Sequence, residues 1–204
     1  MREIVDGVLT WSWLSGPHGY DFNGYLVRDA AGNVCIDPVE PEEETLAALA
    51  REGVGTIALT NRNHVRAAER VRARTGARIV IHPADRAHAE GQGATIDGAL
   101  EEGEPLGPFT VVGAPGKSPG EVVLHWRARR ILVVGDAIIG NPPGRCSLLP
   151  ARVMDDPARL RASVRALAAL DFDTLLVGDG VSILSGARAE VERLCAGFDG
   201  GHGG

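Results

Sequence analysis

Aromatic side chains are scarce in this chain of 204 residues. Tryptophan, tyrosine and phenylalanine make up 4% of it, so a hydrophobic core has to rest on Leu, Val, Ile and Ala. Cysteine is scarce too. Cys35, Cys146 and Cys195 are odd in number and far apart. They form no Cys-x-x-Cys pair, which leaves no disulfide framework, zinc knuckle or redox motif and predicts buried thiols in a reducing cytoplasm. Positive charge is in deficit. A net charge of -6 argues against nucleic acid as a partner, because phosphate contacts need a basic face; it serves solubility instead. No apolar run approaches the roughly 18 residues of a membrane span, and Met1-Arg2-Glu3 does not open a signal peptide. Nucleophile elbows of the Gly-x-Ser-x-Gly type are missing. Gly116-Lys117-Ser118 is not a phosphate-binding loop either, because Val111 stands where that motif needs its first glycine and Pro119 follows at once.

What remains is an ordinary globular composition, 44% hydrophobic and 24% charged, patterned for mixed α and β structure. Residues 3–10 carry an Asp6-Gly7 turn, and residues 23–28 and 33–37 flank a second turn, so the chain opens as β-hairpins. Between residues 10 and 23, Trp11, Trp13, His18 and Tyr20 gather in what reads as a packed or ligand-facing loop. Helix 41–52 has Pro41 in its first turn and Glu42, Glu43 and Glu44 near its positive end. Strand 56–60, a helix over 64–75 with Asn63 as a candidate cap, and strand 78–82 follow in a βαβ rhythm. Residues 84–107 predict a short helix and loops. Strands return at 109–113, 121–126 and 130–135. Asp156 and Pro157 start a helix that puts Leu160, Val164, Leu167 and Leu170 on one face. Strand 174–177 and helix 187–196 complete a single domain over residues 1–197, with a flexible Gly-rich tail at 198–204.

Five short segments, in order along the chain, carry a resemblance. Asn23-Gly24-Tyr25-Leu26-Val27 with Ile36-Asp37-Pro38 comes first. Thr60-Asn61-Arg62-Asn63-His64-Val65-Arg66 follows strand 56–60. Ala114-Pro115-Gly116-Lys117-Ser118-Pro119-Gly120, Gly135-Asp136 and Gly178-Asp179-Gly180 come later. Together they resemble the metallo-β-lactamase superfamily, whose second segment reads Thr-His-x-His-x-Asp-His and holds zinc. The resemblance implies an α/β fold, a four-layer αβ/βα sandwich with two mixed β-sheets, and a site at one edge where the five loops meet. It makes a homodimer plausible.

The ligand chemistry has changed. Of seven positions that hold metal in that family, only Asp136 keeps its residue type, and Asp179 replaces a histidine. Asn61 and Asn63 offer neutral amide oxygens, Val65 offers nothing, and Arg66 and Lys117 bring positive charge to the site. Zinc needs three or four thiolate, imidazole or carboxylate ligands, so no metal cofactor is expected at the family position. If one binds, His64, Asp136 and Asp179 are the candidates. The alternative is an ion-pair network, with Lys117–Asp136 as its first pair. Asn61, Asn63, His64, Arg66 and His18 are candidate pocket residues. His64 is off-register from the family ligands, which favours a surface or packing role for it. His82 and His125 read as structural, and His88 and His202 as solvated. Three functions stay open. One is a metal-free pseudo-hydrolase that binds a small anionic molecule or regulates a partner. The second is a hydrolase of esters, thioesters or lactones with Asp136, Asp179 and Lys117 as rebuilt catalytic groups. The third is an interaction protein with a vestigial pocket.

Overall fold

The structure, a computed structural model, describes residues 1–198. All of the expected tail beyond Phe198, including His202, lies outside the described residues. Seven strands form the first sheet: β1 (Arg2–Val5), β2 (Val8–Ser15), β3 (Tyr20–Val27), β4 (Val34–Ile36), β5 (Thr56–Leu59), β6 (Arg78–Ile81) and β7 (Gly98–Ala99), side by side in that order. Pairing is antiparallel from β1 to β4 and parallel from β4 to β7. The second sheet runs β12 (Thr174–Val177), β11 (Ile131–Val134), β10 (Val122–Trp126), β9 (Phe109–Gly113) and β8 (Pro105–Leu106). In it β11 and β12 are parallel and the rest antiparallel.

Alternation along the strands sorts their side chains into three cores. Ile57, Leu59, Ile79 and Ile81 face one way, towards Leu46 and Leu49 of α1 (Glu43–Glu52), Val71 of α2 (Ala68–Thr75) and Ala89 of α3 (Pro83–Gly91). Ala58 and Val80 face the other way and meet Val122, Leu124, Val133 and Leu176 between the sheets. Val123, Leu132 and Val134 turn outward to Leu160 and Val164 of α4 (Pro157–Ala168) and Val191 of α5 (Ala187–Ala196). Both faces of these strands are covered, so they read as unbroken apolar runs rather than an alternating pattern. The result is the four-layer αβ/βα sandwich. Cys35 and Cys146 are buried in its cores. Among the described residues no helix is long and apolar enough to cross a membrane.

Two local expectations are corrected. The aromatic segment after residue 10 is no loop: β2 and β3 pair along their whole length, with Trp13 opposite Phe22, and only residues 16–19 form the tip. Trp11 and Trp13 share one face of β2, and burial falls off towards the hairpin tip, with Trp11 buried and Trp13 45% exposed. The helix expected from residue 64 starts at Ala68, and Asn63 does not cap it. Side-chain hydrogen bonding wins over helix here. Asn61 Oδ1 accepts from the Asn63 N–H at 2.8 Å, the His64 N–H bonds back to the Asn61 carbonyl, and Arg66 sits at a left-handed φ of 29°. In contrast, Asp156 caps α4 as expected, accepting from the Arg159 N–H at 2.9 Å.

Tyr25 pins the two sheets together. Its hydroxyl donates to the Val177 carbonyl at 2.7 Å and lies 2.9 Å from Ser182 Oγ. Replacing it with phenylalanine removes the bond without opening a cavity, so Tyr25→Phe should lower the urea-unfolding free energy by about 1 kcal/mol. An unchanged midpoint would mean that apolar packing alone joins the sheets here.

Candidate functional site

The five segments singled out in the sequence come to one edge of the sandwich. Asp37 follows β4, residues 60–66 follow β5, residues 114–121 join β9 to β10, Asp136 follows β11 and Asp179 follows β12. Ligand sites of open α/β sheets form at such carboxyl ends of parallel strands. Bonds between the sheets fix the edge: the Val122 N–H donates to the Thr60 carbonyl at 2.9 Å and the Asn23 N–H to that of Gly178 at 2.7 Å.

At this edge three cations meet three carboxylates. Lys117 Nζ lies 2.9 Å from Asp136 Oδ2 and donates to Asn63 Oδ1, also at 2.9 Å. Arg66 donates from Nη2 to Asp179 Oδ1 at 3.2 Å and stacks 4.2 Å above the Phe22 ring. His64 is fully buried between two carboxylates, its Nδ1 2.8 Å from Asp37 Oδ2 and its Nε2 3.2 Å from Asp136 Oδ1. Thr60 completes this side by donating its N–H and its hydroxyl to Asp37 at 2.8 and 2.6 Å. Glycines make the room. A side chain on Gly135 would collide with Thr60 Oγ1, and one on Gly178 would press on the His64 ring at 3.1 Å.

The electrostatics follow from these contacts. Burial and the nearby Arg66 oppose a charge on His64, but Asp37 and Asp136 outweigh them and raise its pKa to about 10. Burial likewise opposes charge on Asp136, yet His64 and Lys117 hold its carboxyl well below the usual range. Asp179 moves up, through burial and repulsion by Asp136, offset in part by His64 and Arg66. Glu121 moves well up for the same two leading reasons, burial and repulsion by Asp136.

The expected surface or packing role for His64 is therefore corrected. One residue out of register with the family ligands, its side chain points inward and becomes the centre of the site. Lys117, Asp136, Arg66, Asp179, Asn61 and Asn63 all gather there. His18 stays apart on the exposed hairpin tip, 2.7 Å from Ser15 Oγ, with its ring 5.3 Å from that of Phe22. His82 accepts from the Ala84 N–H at the start of α3, and His125 Nε2 lies 2.9 Å from the Asp171 carbonyl oxygen, both structural uses. His88 is exposed.

Two buried acids were missed. Asp85 accepts from the Arg62 N–H, the Ser118 hydroxyl and the Gly120 N–H at 2.9, 2.5 and 2.9 Å, and so ties the two cation-bearing loops to α3. Glu121 accepts from the Asp136 and Ala137 N–H groups at 2.8 and 3.1 Å. A charged residue at the head of an apolar strand was the signal for Glu121. Asp85 gave none, lying in a polar helix.

Among the described residues His64, Asp136 and Asp179 are also the group able to face one metal ion, with one donor atom from each within 4.8 Å of the others. Each of those side chains already faces a partner inside the protein.

The raised pKa of His64 fixes a pH dependence. A histidine of ordinary pKa, about 6.5 when unfolded, gains stability in the fold that is fully present below that value and is lost as pH rises towards about 10. Histidine NMR should find His64 doubly protonated at pH 8, and unfolding free energy should fall between pH 7 and 10. A neutral His64 ring at pH 8 would contradict the assigned pairing.

The family model described as metallo-beta-lactamase superfamily matches residues 5–198. A hydroxyacylglutathione hydrolase of Methylobacterium sp. (strain 4-46) is 31% identical over 175 residues, 81% of this chain and 64% of that protein. One from Acidiphilium cryptum (strain JF-5) is 29% identical over 176 residues, 82% and 68% of the two chains. This chain thus spans about two thirds of the length of those curated relatives. Among solved structures, TTHA1623 in a di-iron-bound form is 28% identical, with a TM-score of 0.67 over 89% of this chain and 98% of that one. The metallo-beta-lactamase FIM-1 from Pseudomonas aeruginosa, in its mono-zinc form, shares the fold at 17% identity, with a TM-score of 0.75 over 96% and 94%. A match running from the end of β1 past the end of α5 makes this chain a member of the metallo-beta-lactamase superfamily.

Proposed function

We propose that this chain is a metal-independent member of its superfamily, a binding protein built on a hydrolase fold. The observation that carries the reading is the charge balance of the site: His64, Arg66 and Lys117 stand against Asp37, Asp136 and Asp179, pair by pair. The donor set does not fit a metal. Both ring nitrogens of His64 face carboxylates, and an imidazolium has no lone pair to give. Lys117 holds Asp136 Oδ2 and Arg66 holds Asp179 Oδ1, so a divalent ion would meet fixed positive charge on two sides. Binding would require His64 to lose a proton and two cations to swing away, leaving them buried and unpaired.

The same pairing redirects the ligand. An anion expected to bind Lys117 and Arg66 finds Lys117 held by Asp136 and Asn63 and Arg66 Nη2 held by Asp179, while Arg66 Nη1 is buried without a hydrogen-bond partner among the described residues. Beside the network lies an open cleft of about 360 Å³, lined by Trp13, Phe22, Val39, Glu40, Arg66 and Ala67. Its size and mainly apolar wall suit a small molecule, and Glu40 at its rim is itself paired with Arg70. A cytoplasmic setting belongs to this reading, supported by the buried thiols of Cys35 and Cys146.

A second reading is favoured by one observation, the approach of His64, Asp136 and Asp179 within 4.8 Å. It is a hydrolase with a rebuilt metal centre, and the name of the curated relatives, hydroxyacylglutathione hydrolase, lends it a thioester substrate.

Elemental analysis separates the two. The protein purified with added zinc, iron or manganese should hold far less than one metal ion per chain. A chelator should leave its thermal midpoint unchanged, and a hydroxyacylglutathione thioester should not turn over above background. Stoichiometric metal, a midpoint lowered by chelation, or turnover lost on Asp136→Asn would establish the hydrolase instead.

A further inference from the structure

Asp136 is gripped from two directions by one short loop. Lys117, early in that loop, places its ammonium 2.9 Å from Asp136 Oδ2. Glu121, at its end, places Oε1 against the backbone of the same residue, accepting from the Asp136 N–H at 2.8 Å and the Ala137 N–H at 3.1 Å. Two successive amides converging on one oxygen fix the direction in which the turn leaves β11. That direction decides whether the Asp136 carboxylate reaches Lys117 and His64 at all.

The surroundings are shaped for this contact. Glu121 is fully enclosed, and Gly135 lets it approach: a side chain there would come within 3.0 Å of Glu121 Oε1 and 3.1 Å of Asn61 Nδ2. The second carboxyl oxygen, Oε2, has no hydrogen-bond partner among the described residues. All the polar contacts recorded for this buried side chain therefore go to the Asp136 turn. A buried acid kept for packing alone would be costly beside an apolar residue of the same size.

We propose that Glu121 is the positioning residue of the charge network, acting through the backbone of Asp136. The role needs a hydrogen-bond acceptor at Oε1. Glutamine supplies the same acceptor, and alanine does not. The inference rests on the metal-independent reading of the site.

The test is proton NMR of the whole chain, labelled with 15N-histidine, at neutral pH. The two ring N–H protons of His64 report on its two carboxylates separately, Nδ1–H on Asp37 and Nε2–H on Asp136. Wild type and Glu121→Gln should each give two downfield, slowly exchanging signals. Glu121→Ala should keep the signal facing Asp37 and lose the one facing Asp136. Should the alanine variant not fold, Glu121→Leu keeps the volume without the acceptor and carries the same expectation, and the glutamine arm stands whichever folds. Retention of both signals in Glu121→Ala or Glu121→Leu overturns the proposal, as does loss of the Asp136-facing signal in Glu121→Gln. A wild-type protein that holds stoichiometric metal and lacks both signals overturns the metal-independent reading itself, a result distinct from either of these.

Discussion

The contact between Lys117 and Asp136 is the constraint on which the rest of this site depends. A carboxylate as enclosed as that of Asp136 has to be neutralised, because burying a lone charge costs several kcal/mol or more. Lys117 meets one oxygen at 2.9 Å and His64 approaches the other at 3.2 Å. With Asp136 held in this way, His64 is locked between it and Asp37, and the second cation, Arg66, is left to Asp179. Each ion pair sets the geometry of the next, so the site is one electrostatic unit rather than a collection of contacts.

The fold makes such a unit possible at this edge. Parallel strands deliver Asp37, Thr60, Asp136 and Asp179 from their carboxyl ends, and bonds between the sheets keep the two halves in register. Loops that bear side chains onto such an edge can exchange those side chains while the strands behind them stay the same. That separation is consistent with the match to the superfamily from residue 5 to 198, which follows the scaffold rather than any one side chain. The left-handed backbone of Arg66 and of Asp37 lies at the same edge, where strain of this kind collects in proteins that hold side chains in fixed positions.

Much of the fold was legible in the sequence. Strands buried on both faces declared themselves as apolar runs, Asp156-Pro157 announced its helix, and the order of five loop motifs gave the architecture. The site was legible in composition, since the residues at positions 117, 136, 66 and 179 carry complementary charge. What the sequence hid was direction. Asn61 turns its own backbone into a tight loop and delays α2 to Ala68, which rotates His64 into the centre. A register argument along the chain cannot see that turn. Asp85 stayed hidden because its partners, two backbone amides and the Ser118 hydroxyl, lie distant in sequence. Glu121 stood out at the head of an apolar strand, but its role stayed hidden because its partners are backbone amides that leave no pattern in residue types. The segment around Trp13 was misread as a loop because strand pairing, not local composition, sets Trp13 opposite Phe22.

The measurement that bears most directly on the central claim is a double-mutant cycle on Lys117 and Asp136, read by urea unfolding at neutral pH. If Lys117 is the main counter-charge of Asp136, Lys117→Met alone should destabilise the fold by about 3–5 kcal/mol, because it leaves Oδ2 of a buried carboxylate without its partner. In an Asp136→Asn background the same substitution should cost little, giving a coupling energy of about 3 kcal/mol, the difference between the two backgrounds. Additive effects, with no coupling between the two sites, would mean that Asp136 is neutralised by something other than Lys117, and the account of a self-compensated site would fail.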